Sequence, residues 1–189
     1  MTMTPSEIII TCWCIFVAVW LVNASRTKRT VEKQSSAAML AHRLPVGFGW
    51  WLLIVPNWGA YLNRQILPHT EVLNMLSVIL CVGGLVFTIW ARKTLAGNWS
   101  SDVTFKQDHE LIRTGPYRFV RHPIYTGLLV MWLGTAIHLG EMRGFISLLL
   151  VGIGFWIKLS QEERLMMQHF PDAYPDYRRD VKALVPFVI

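Results

Sequence analysis

Charged residues and cysteines are both scarce in this sequence. Only 16% of its 189 residues are Asp, Glu, Lys or Arg, whereas 53% are apolar or aromatic. Soluble domains typically carry about 25% charged residues. Such a composition excludes intrinsic disorder and a collagen-like fibre, and three cysteines give no framework for a disulfide-rich domain. An ordinary soluble domain is therefore a poor interpretation of the chain.

Several familiar active-site signatures are missing as well. The sequence contains no GxGxxG dinucleotide fingerprint, no P-loop and no GxSxG nucleophile motif. Its His, Cys, Asp and Glu residues show no metal-ligand spacing, so we expect no metal site. Cys12 and Cys14 would point to opposite sides of a helix, and Cys81 lies in another apolar run. We interpret all three as small apolar residues of membrane segments.

Five apolar stretches approach the roughly 20 residues that a helix needs to cross a bilayer. They cover residues 6–24, 46–67, 72–91, 124–139 and 145–159. The last two are short and are separated by a tight, glycine-flanked turn at residues 140–144, which predicts a helical hairpin. We therefore expect an all-α protein, a polytopic integral-membrane helical bundle with about five transmembrane helices, in a single domain over residues 1–189.

The basic residues are distributed unevenly around these spans. Of 18 Lys and Arg, 16 lie between spans one and two, between spans three and four, or from the last turn of span five onward. The positive-inside rule then places the N-terminus outside and the C-terminus in the cytoplasm. A signal peptide is disfavoured, because positive charge follows the first apolar run instead of preceding it. Topology thus accounts for the net charge of +6, and we expect no nucleic-acid partner.

Two polar segments, residues 92–127 and 158–189, concentrate the residues that can do chemistry. In the first, Arg121 and His122 come directly before Pro123, which suits the first turn of the fourth span. A helix N-terminus with basic side chains favours an anion. Tyr125 follows one turn later, and Gly127 lets another group pack closely. A basic juxtamembrane anchor with an aromatic belt explains the same residues.

The second segment contains two adjacent acidic residues, Glu162 and Glu163, shortly after the fifth span. Acidic residues at a helix C-terminus interact unfavourably with the helix dipole, so their presence there suggests a compensating interaction. They can bind a cationic ligand or pair with Arg118 or Arg121, although a solvated helix end is an alternative. Loops carry function on rigid scaffolds, so we expect the chemistry in a cytoplasmic, C-terminal catalytic region.

The order of these motifs resembles the isoprenylcysteine carboxyl methyltransferase family and the wider group that includes phospholipid N-methyltransferases. The similar pieces are AGNW at 96–99, LIRTGPY at 111–117, RHPIYTG at 121–127, the paired Glu at 162–163, YPDY at 174–177 and VPF at 185–187. They span about the C-terminal half of the chain. Each piece alone is weak, but the ordered set is fairly specific.

The resemblance implies an integral-membrane methyltransferase that uses S-adenosylmethionine, bound at the RHPxY and paired-Glu regions. The carboxylate of this cofactor suits basic side chains at a helix N-terminus, and its ammonium or ribose hydroxyls suit a carboxylate. Its adenine or sulfonium suits the face of a tyrosine ring. The expected cofactor-binding residues are Arg121, His122, Tyr125, Gly127, Glu162, Glu163, Tyr174 and Tyr177.

The methyl acceptor is expected to meet basic residues. Transfer to a carboxylate needs a cation that positions it, whereas an amine must first lose a proton. The resemblance implies a basic residue just before the paired Glu, and Lys158 stands there in place of the expected Arg. Arg178 and Arg179 are further candidates. We expect a prenylcysteine-like or other lipophilic acid to enter from the membrane lipids, and the tail to close over the cofactor.

Three other functions stay open. A phospholipid amine is the second candidate acceptor. A sterol-reductase-like enzyme that binds NADPH shares an RHxxYxG pattern, although such enzymes carry a second set of spans. A non-enzymatic membrane scaffold would explain the apolar helices alone. The short N-terminal region favours a prokaryotic inner membrane over the endoplasmic reticulum.

Overall fold

The structure, a computed structural model, describes residues 3–24, 30–33, 35–99, 103–106 and 110–188. Within them the chain forms seven α-helices and one antiparallel pair of short strands. The helices are α1 (Pro5–Ala24), α2 (Ser36–Ile54), α3 (Gly59–Leu62), α4 (Glu71–Leu95), α5 (Pro123–Leu139), α6 (Met142–His169) and α7 (Ala173–Asp180). The strands are β1 (Thr30–Lys33) and β2 (Thr104–Lys106).

Four helices, α1, α2, α4 and α6, are long and apolar enough to cross a membrane, and α5 is a shorter apolar helix. The predicted helical membrane bundle with about five spans is therefore confirmed. Helices α1, α4 and α5 match their predicted stretches with small differences at the ends. The β1–β2 pair, which the sequence did not predict, joins two of the segments between helices.

The second span lies earlier in the chain than predicted. The apolar stretch at residues 46–67 suggested a helix there, but α2 covers Ser36–Ile54. Its first turn is capped by the Ser35 hydroxyl, which accepts a hydrogen bond from the Ala38 amide. Its end is held by Arg143, whose guanidinium donates to the carbonyls of residues 52, 53 and 55. Hydropathy failed because residues 55–67 are apolar yet form a loop around the short α3.

The fifth span is longer than predicted. The apolar run ends at residue 159, but α6 continues without interruption to His169. Residues 160–169 are mostly good helix formers, so the helix extends beyond its apolar part. Glu162 and Glu163 consequently lie inside a helix, about two turns before its end, rather than at its C-terminus. The unfavourable interaction with the helix dipole that the sequence suggested for them therefore does not arise.

Helix α5 lies between α4 and α6, with α1 packed on α4 and α2 packed on α6. Gly140 joins α5 to α6 in a left-handed turn at φ 64°, which confirms the predicted hairpin. Three tryptophan rings meet edge to face where α1, α2 and α5 converge. The ring centre of Trp132 lies 5.0 Å from that of Trp13 and 4.4 Å from that of Trp50. This cluster of aromatic rings packs the interior of the bundle between these three helices.

The contact between α4 and α5 depends on glycines. A Cβ added to Gly127 would lie 2.1 Å from Thr88 Oγ1, and one added to Gly84 would lie 2.6 Å from the Gly127 carbonyl oxygen. Small residues of this kind allow two membrane helices to approach at backbone distance. The close packing that the sequence suggested for Gly127 is thus with helix α4.

We expect Gly127→Ala to destabilise the protein by about 1–3 kcal/mol, because the added methyl group forces α4 and α5 apart. The measurement is the thermal unfolding midpoint in detergent, followed by circular dichroism. Gly83→Ala is the matched control, since no atom of the described residues lies within 4 Å of its added Cβ, and it should leave the midpoint unchanged or slightly higher. Equal midpoints for the two variants would contradict this account of the interface.

Candidate functional site

One end of the bundle holds a cavity of about 860 Å³, including its open mouth. The turn after α4, the start of α5, the end of α6 and helix α7 all contribute to its wall. The lining residues are Leu95, Asn98, Trp99, Leu111, Ile112, Tyr117, Arg121, His122, Ile124, Tyr125, Glu162, Leu165, Met166, Tyr174 and Tyr177. The two polar segments of the sequence thus meet here.

The C-terminal residues 181–184, here called the strap, cover the start of α5. The backbone amides of Arg121 and His122 donate to the carbonyls of Lys182 and Ala183 at 2.8 and 2.9 Å. The Thr126 hydroxyl donates to the Leu184 carbonyl at 2.8 Å. Carbonyl groups of the strap therefore occupy donors that the sequence analysis assigned to an anion.

Arg121 connects three parts of the chain. Its Nη2 and Nε lie 2.6 and 2.9 Å from Glu163 Oε1 on α6. The side chains of Arg121 and Glu163 are only 8% and 10% exposed, so this ion pair is largely shielded from water. The same guanidinium donates to the carbonyls of Arg178, at 3.1 Å, and of Val181. The pairing that the sequence suggested for the acidic residues thus forms with Arg121, and it fixes the strap.

His122 lies between the two adjacent carboxylates. Its Nε2 is 3.2 Å from Glu163 Oε1, and its Nδ1 is 3.5 Å from Glu162 Oε2. Burial alone would lower the pKa of His122, but the hydrogen bonds and negative charges of Glu162 and Glu163 outweigh it and raise the pKa. The imidazolium form is therefore favoured, and it balances the charge of the acidic pair.

Glu162 is the acidic residue that reaches the cavity. Its Oε1 accepts a hydrogen bond of 2.6 Å from the Tyr125 hydroxyl. The Tyr125 ring is stacked between two others, 5.6 Å from the His122 ring and 4.9 Å from the Phe155 ring. Lys158 Nζ lies 5.4 Å from the centre of the Tyr125 ring. A carboxylate and an aromatic ring of the cavity wall thus adjoin the ammonium group of Lys158, which does not itself line the cavity.

Helix α7 forms the opposite wall with two tyrosines. The Tyr177 hydroxyl donates to the Tyr117 carbonyl at 2.6 Å, and Arg113 lies 5.3 Å from the Tyr177 ring centre. The Tyr174 ring meets Tyr177 edge to face at 6.1 Å. Burial raises the pKa of both Tyr174 and Tyr177, so both remain neutral hydroxyls.

Sequence reasoning missed two residues of the wall, Asn98 and Trp99. Both follow α4 in a polar stretch, where the only sequence signal was the short AGNW motif. Asn98 is buried, and its Oδ1 finds no hydrogen-bond partner within the described part of the chain. A buried acceptor of this kind fits a ligand that donates a hydrogen bond.

Five predicted site residues are not part of the cavity wall: Lys158, Gly127, Glu163, Arg178 and Arg179. Gly127 packs on α4, as described above. Arg179 is 73% exposed and pairs with its α7 neighbours Asp176 and Asp180. Arg178 is 56% exposed, with its Nε 3.5 Å from Glu163 Oε2, and it is not part of the cavity wall. No three His, Cys, Asp or Glu side chains converge on a metal position among the described residues.

More than half of the chain is similar to a known family. The family described as Phospholipid methyltransferase matches residues 72–173. A probable protein-S-isoprenylcysteine O-methyltransferase of Oryza sativa subsp. japonica is 32% identical over 176 residues, which cover 88% of this chain and 83% of that protein. Similarity thus extends well beyond the motifs of the C-terminal half.

Two further relatives match shorter parts of the chain. The protein-S-isoprenylcysteine O-methyltransferase of Schizosaccharomyces pombe is 37% identical over 86 residues, 43% of this chain and 35% of that protein. Phosphatidylethanolamine N-methyltransferase B of Dictyostelium discoideum is 33% identical over 94 residues, 49% of this chain and 47% of that protein. The chain therefore spans about a third and about half of the length of these two relatives.

We expect Arg121→Met to release the strap, because Glu163 then remains buried without its main partner, a change that costs about 3–5 kcal/mol in typical buried pairs. The measurement is amide hydrogen exchange of residues 181–184 in the purified protein, which should become much faster. Arg179→Met is the matched control on exposed α7, and it should leave this exchange unchanged. A strap that stays protected in Arg121→Met would contradict the role of the ion pair.

Proposed function

The chain belongs to the phospholipid methyltransferase family, and from this premise we propose that it is a membrane-embedded, S-adenosylmethionine-dependent methyltransferase. Its acceptor is the carboxylate of a lipophilic acid similar to a prenylcysteine. One observation carries the choice of a carboxylate over an amine: both carboxylates of the site lie beside cationic groups, which makes them poor bases for taking a proton from an amine.

The residues of the cavity suit the cofactor. Its sulfonium and ammonium are cations, which match the Glu162 carboxylate and the ring of Tyr174. Its amino and hydroxyl groups are hydrogen-bond donors, which match Asn98 Oδ1, an acceptor without a partner among the described residues. When bound, it supplies a methyl group on a positively charged leaving group. We assign it to His122, Tyr125, Glu162 and Tyr174, with Asn98 as an addition that the sequence did not suggest.

The protein's contribution is to hold the reactants in line and to keep water away. Methyl transfer to carbon needs alignment and a desolvated nucleophile more than it needs acid–base chemistry. The hydrogen bond from Tyr125 to Glu162 and the imidazole of His122 fix the positions of the polar groups. Leu165 and Met166 provide apolar surface on the same wall. The site is thus organised for positioning.

An amine acceptor would need a base, because its lone pair becomes available only after it loses a proton. Among the described residues that line the cavity, Glu162 is hydrogen-bonded to Tyr125 and lies beside His122, whose raised pKa favours the charged form. The tyrosines Tyr174 and Tyr177 are neutral donors. A carboxylate acceptor needs no base, and the Lys158 ammonium beside the Tyr125 ring positions it.

We place the cavity end of the bundle in the cytoplasm, because the basic residues concentrate in the segments at this end. The soluble cofactor then enters from the cytoplasm, and the lipophilic acceptor enters sideways between the helices.

We expect S-adenosylhomocysteine to bind the detergent-purified protein, and Glu162→Gln to weaken this binding by about 10–100-fold, since a hydrogen bond to a charged group contributes about 1.5–3 kcal/mol. Isothermal titration calorimetry measures both. Glu141→Gln is the matched control, a carboxylate paired with Arg143 outside the cavity, and it should bind normally. No binding to folded wild-type protein would contradict the proposal, and a titration with NADPH would then test the reductase alternative.

We expect Lys158→Met to raise the KM for a prenylated cysteine acid at least tenfold, roughly the effect of losing one charge-assisted contact, without changing the Kd of S-adenosylhomocysteine. Transfer of a radiolabelled methyl group to the acid measures the KM. Lys93→Met, at the exposed end of α4, is the control. Methylation of phosphatidylethanolamine but not of the acid would favour the second candidate, an amine N-methyltransferase, which the Dictyostelium relative suggests by name.

A further inference from the structure

A buried arginine stands behind the wall that carries Asn98 and Trp99. Arg92, in the last turn of α4, is only 4% exposed. Its Nη1 donates to the Ala96 carbonyl at 2.7 Å, and its Nη2 donates to the Asn23 carbonyl at 3.1 Å. Its Nε has no hydrogen-bond partner among the described residues. Burying a guanidinium with one donor unused is costly, so its retention calls for a functional explanation.

The Arg92 guanidinium also lies against the Trp99 ring. Its Cζ is 4.7 Å from the ring centre, within the range of a cation–π interaction. Trp20 on α1 meets the same ring edge to face at 6.1 Å. The indole of Trp99 is therefore held from two directions, and it forms part of the cavity wall.

The backbone that leads to this wall is strained. Ala96 has φ 48°, a left-handed value that is uncommon for a residue with a side chain. The 3₁₀ turn Ala96–Asn98 starts at this residue and ends with the Trp99 amide donating to the Ala96 carbonyl at 3.5 Å. That same carbonyl accepts the hydrogen bond from Arg92. The arginine thus holds the carbonyl around which the turn is built.

We propose that Arg92 is a positioning residue of the cofactor site, which acts through the Ala96 carbonyl and the Trp99 ring to present Asn98 and Trp99 to the ligand. The inference rests on the proposed function, because it names residues that shape that same cavity. Arg92 does not line the cavity itself. We therefore expect Arg92 to affect ligand binding through Asn98 and Trp99, which do line the cavity.

Arg143 provides a matched comparison. It is likewise buried, lies near the opposite end of the bundle, and donates to three backbone carbonyls at the end of α2. Both arginines stabilise helix ends, but only Arg92 adjoins the cavity wall. A merely structural role for Arg92 would make the two positions equivalent in their effect on ligand binding.

The test compares Arg92→Met with Arg143→Met in two measurements. Arg92→Met should raise the Kd of S-adenosylhomocysteine at least about tenfold, roughly the effect of losing one well-placed hydrogen bond to the ligand. It should also accelerate amide exchange at residues 96–99 in the ligand-free protein. Arg143→Met should lower the thermal midpoint but leave both quantities unchanged. An unchanged Kd in folded Arg92→Met would overturn the proposal.

A double variant tests the route through Trp99. If Arg92 acts through this ring, Arg92→Met should add little to the loss of binding in Trp99→Leu, whereas independent effects would multiply. Losses of binding that multiply in the double variant would overturn the proposed action through Trp99.

If Arg92→Met does not fold, Arg92→Lys is the variant to measure. It keeps the charge but loses the planar fork, and it should still raise the Kd severalfold. Unchanged binding and exchange in Arg92→Lys would overturn the proposal.

The two proposals fail in different ways. Wild-type protein that binds no S-adenosylhomocysteine contradicts the proposed function, whatever the exchange data show. Wild-type protein that binds, together with Arg92 variants that bind equally well and exchange equally slowly, contradicts only the positioning role.

Discussion

The buried ion pair between Arg121 and Glu163 holds the site together. It joins the segment before α5 to the polar end of α6, and through two carbonyls it secures the strap and the end of α7. Removing two charges from water is costly, and such a pair persists only when further hydrogen bonds satisfy it. Here the guanidinium has three acceptors and the carboxylate also contacts His122, so the cost is offset by a connected network.

The adjacent residues Glu162 and Glu163 have different roles in this network. Glu163 faces Arg121 and His122 and organises the protein, while Glu162 meets Tyr125 and faces the cavity. Residues one apart on a helix point in directions about 100° apart, so a paired Glu naturally serves two separate surfaces. The stacked rings of His122, Tyr125 and Phe155 then connect the polar network to the apolar interior of the bundle.

Hydropathy and turn residues predicted the bundle and its hairpin, because an apolar run of sufficient length and a glycine in a left-handed turn are local properties of the sequence. The position of α2 was wrong, because the apolar residues 55–67 form a loop whose boundary is set by Arg143, far along the chain. The clusters around Arg121 and Glu162 were identified, but not that Arg121 binds the strap. Which donors the strap occupies, and that Asn98 faces a cavity, are consequences of tertiary packing that no local pattern reveals.

The strap also sets an order of events during biosynthesis. Residues 181–184 cap the start of α5 and accept the hydrogen bonds of Arg121, yet they are synthesised after every spanning helix described here. A nascent chain can insert its apolar helices into the membrane while it is still attached to the ribosome. The start of α5 is covered only when the chain has been made through residue 184, so membrane insertion and docking of the strap are separate steps in time.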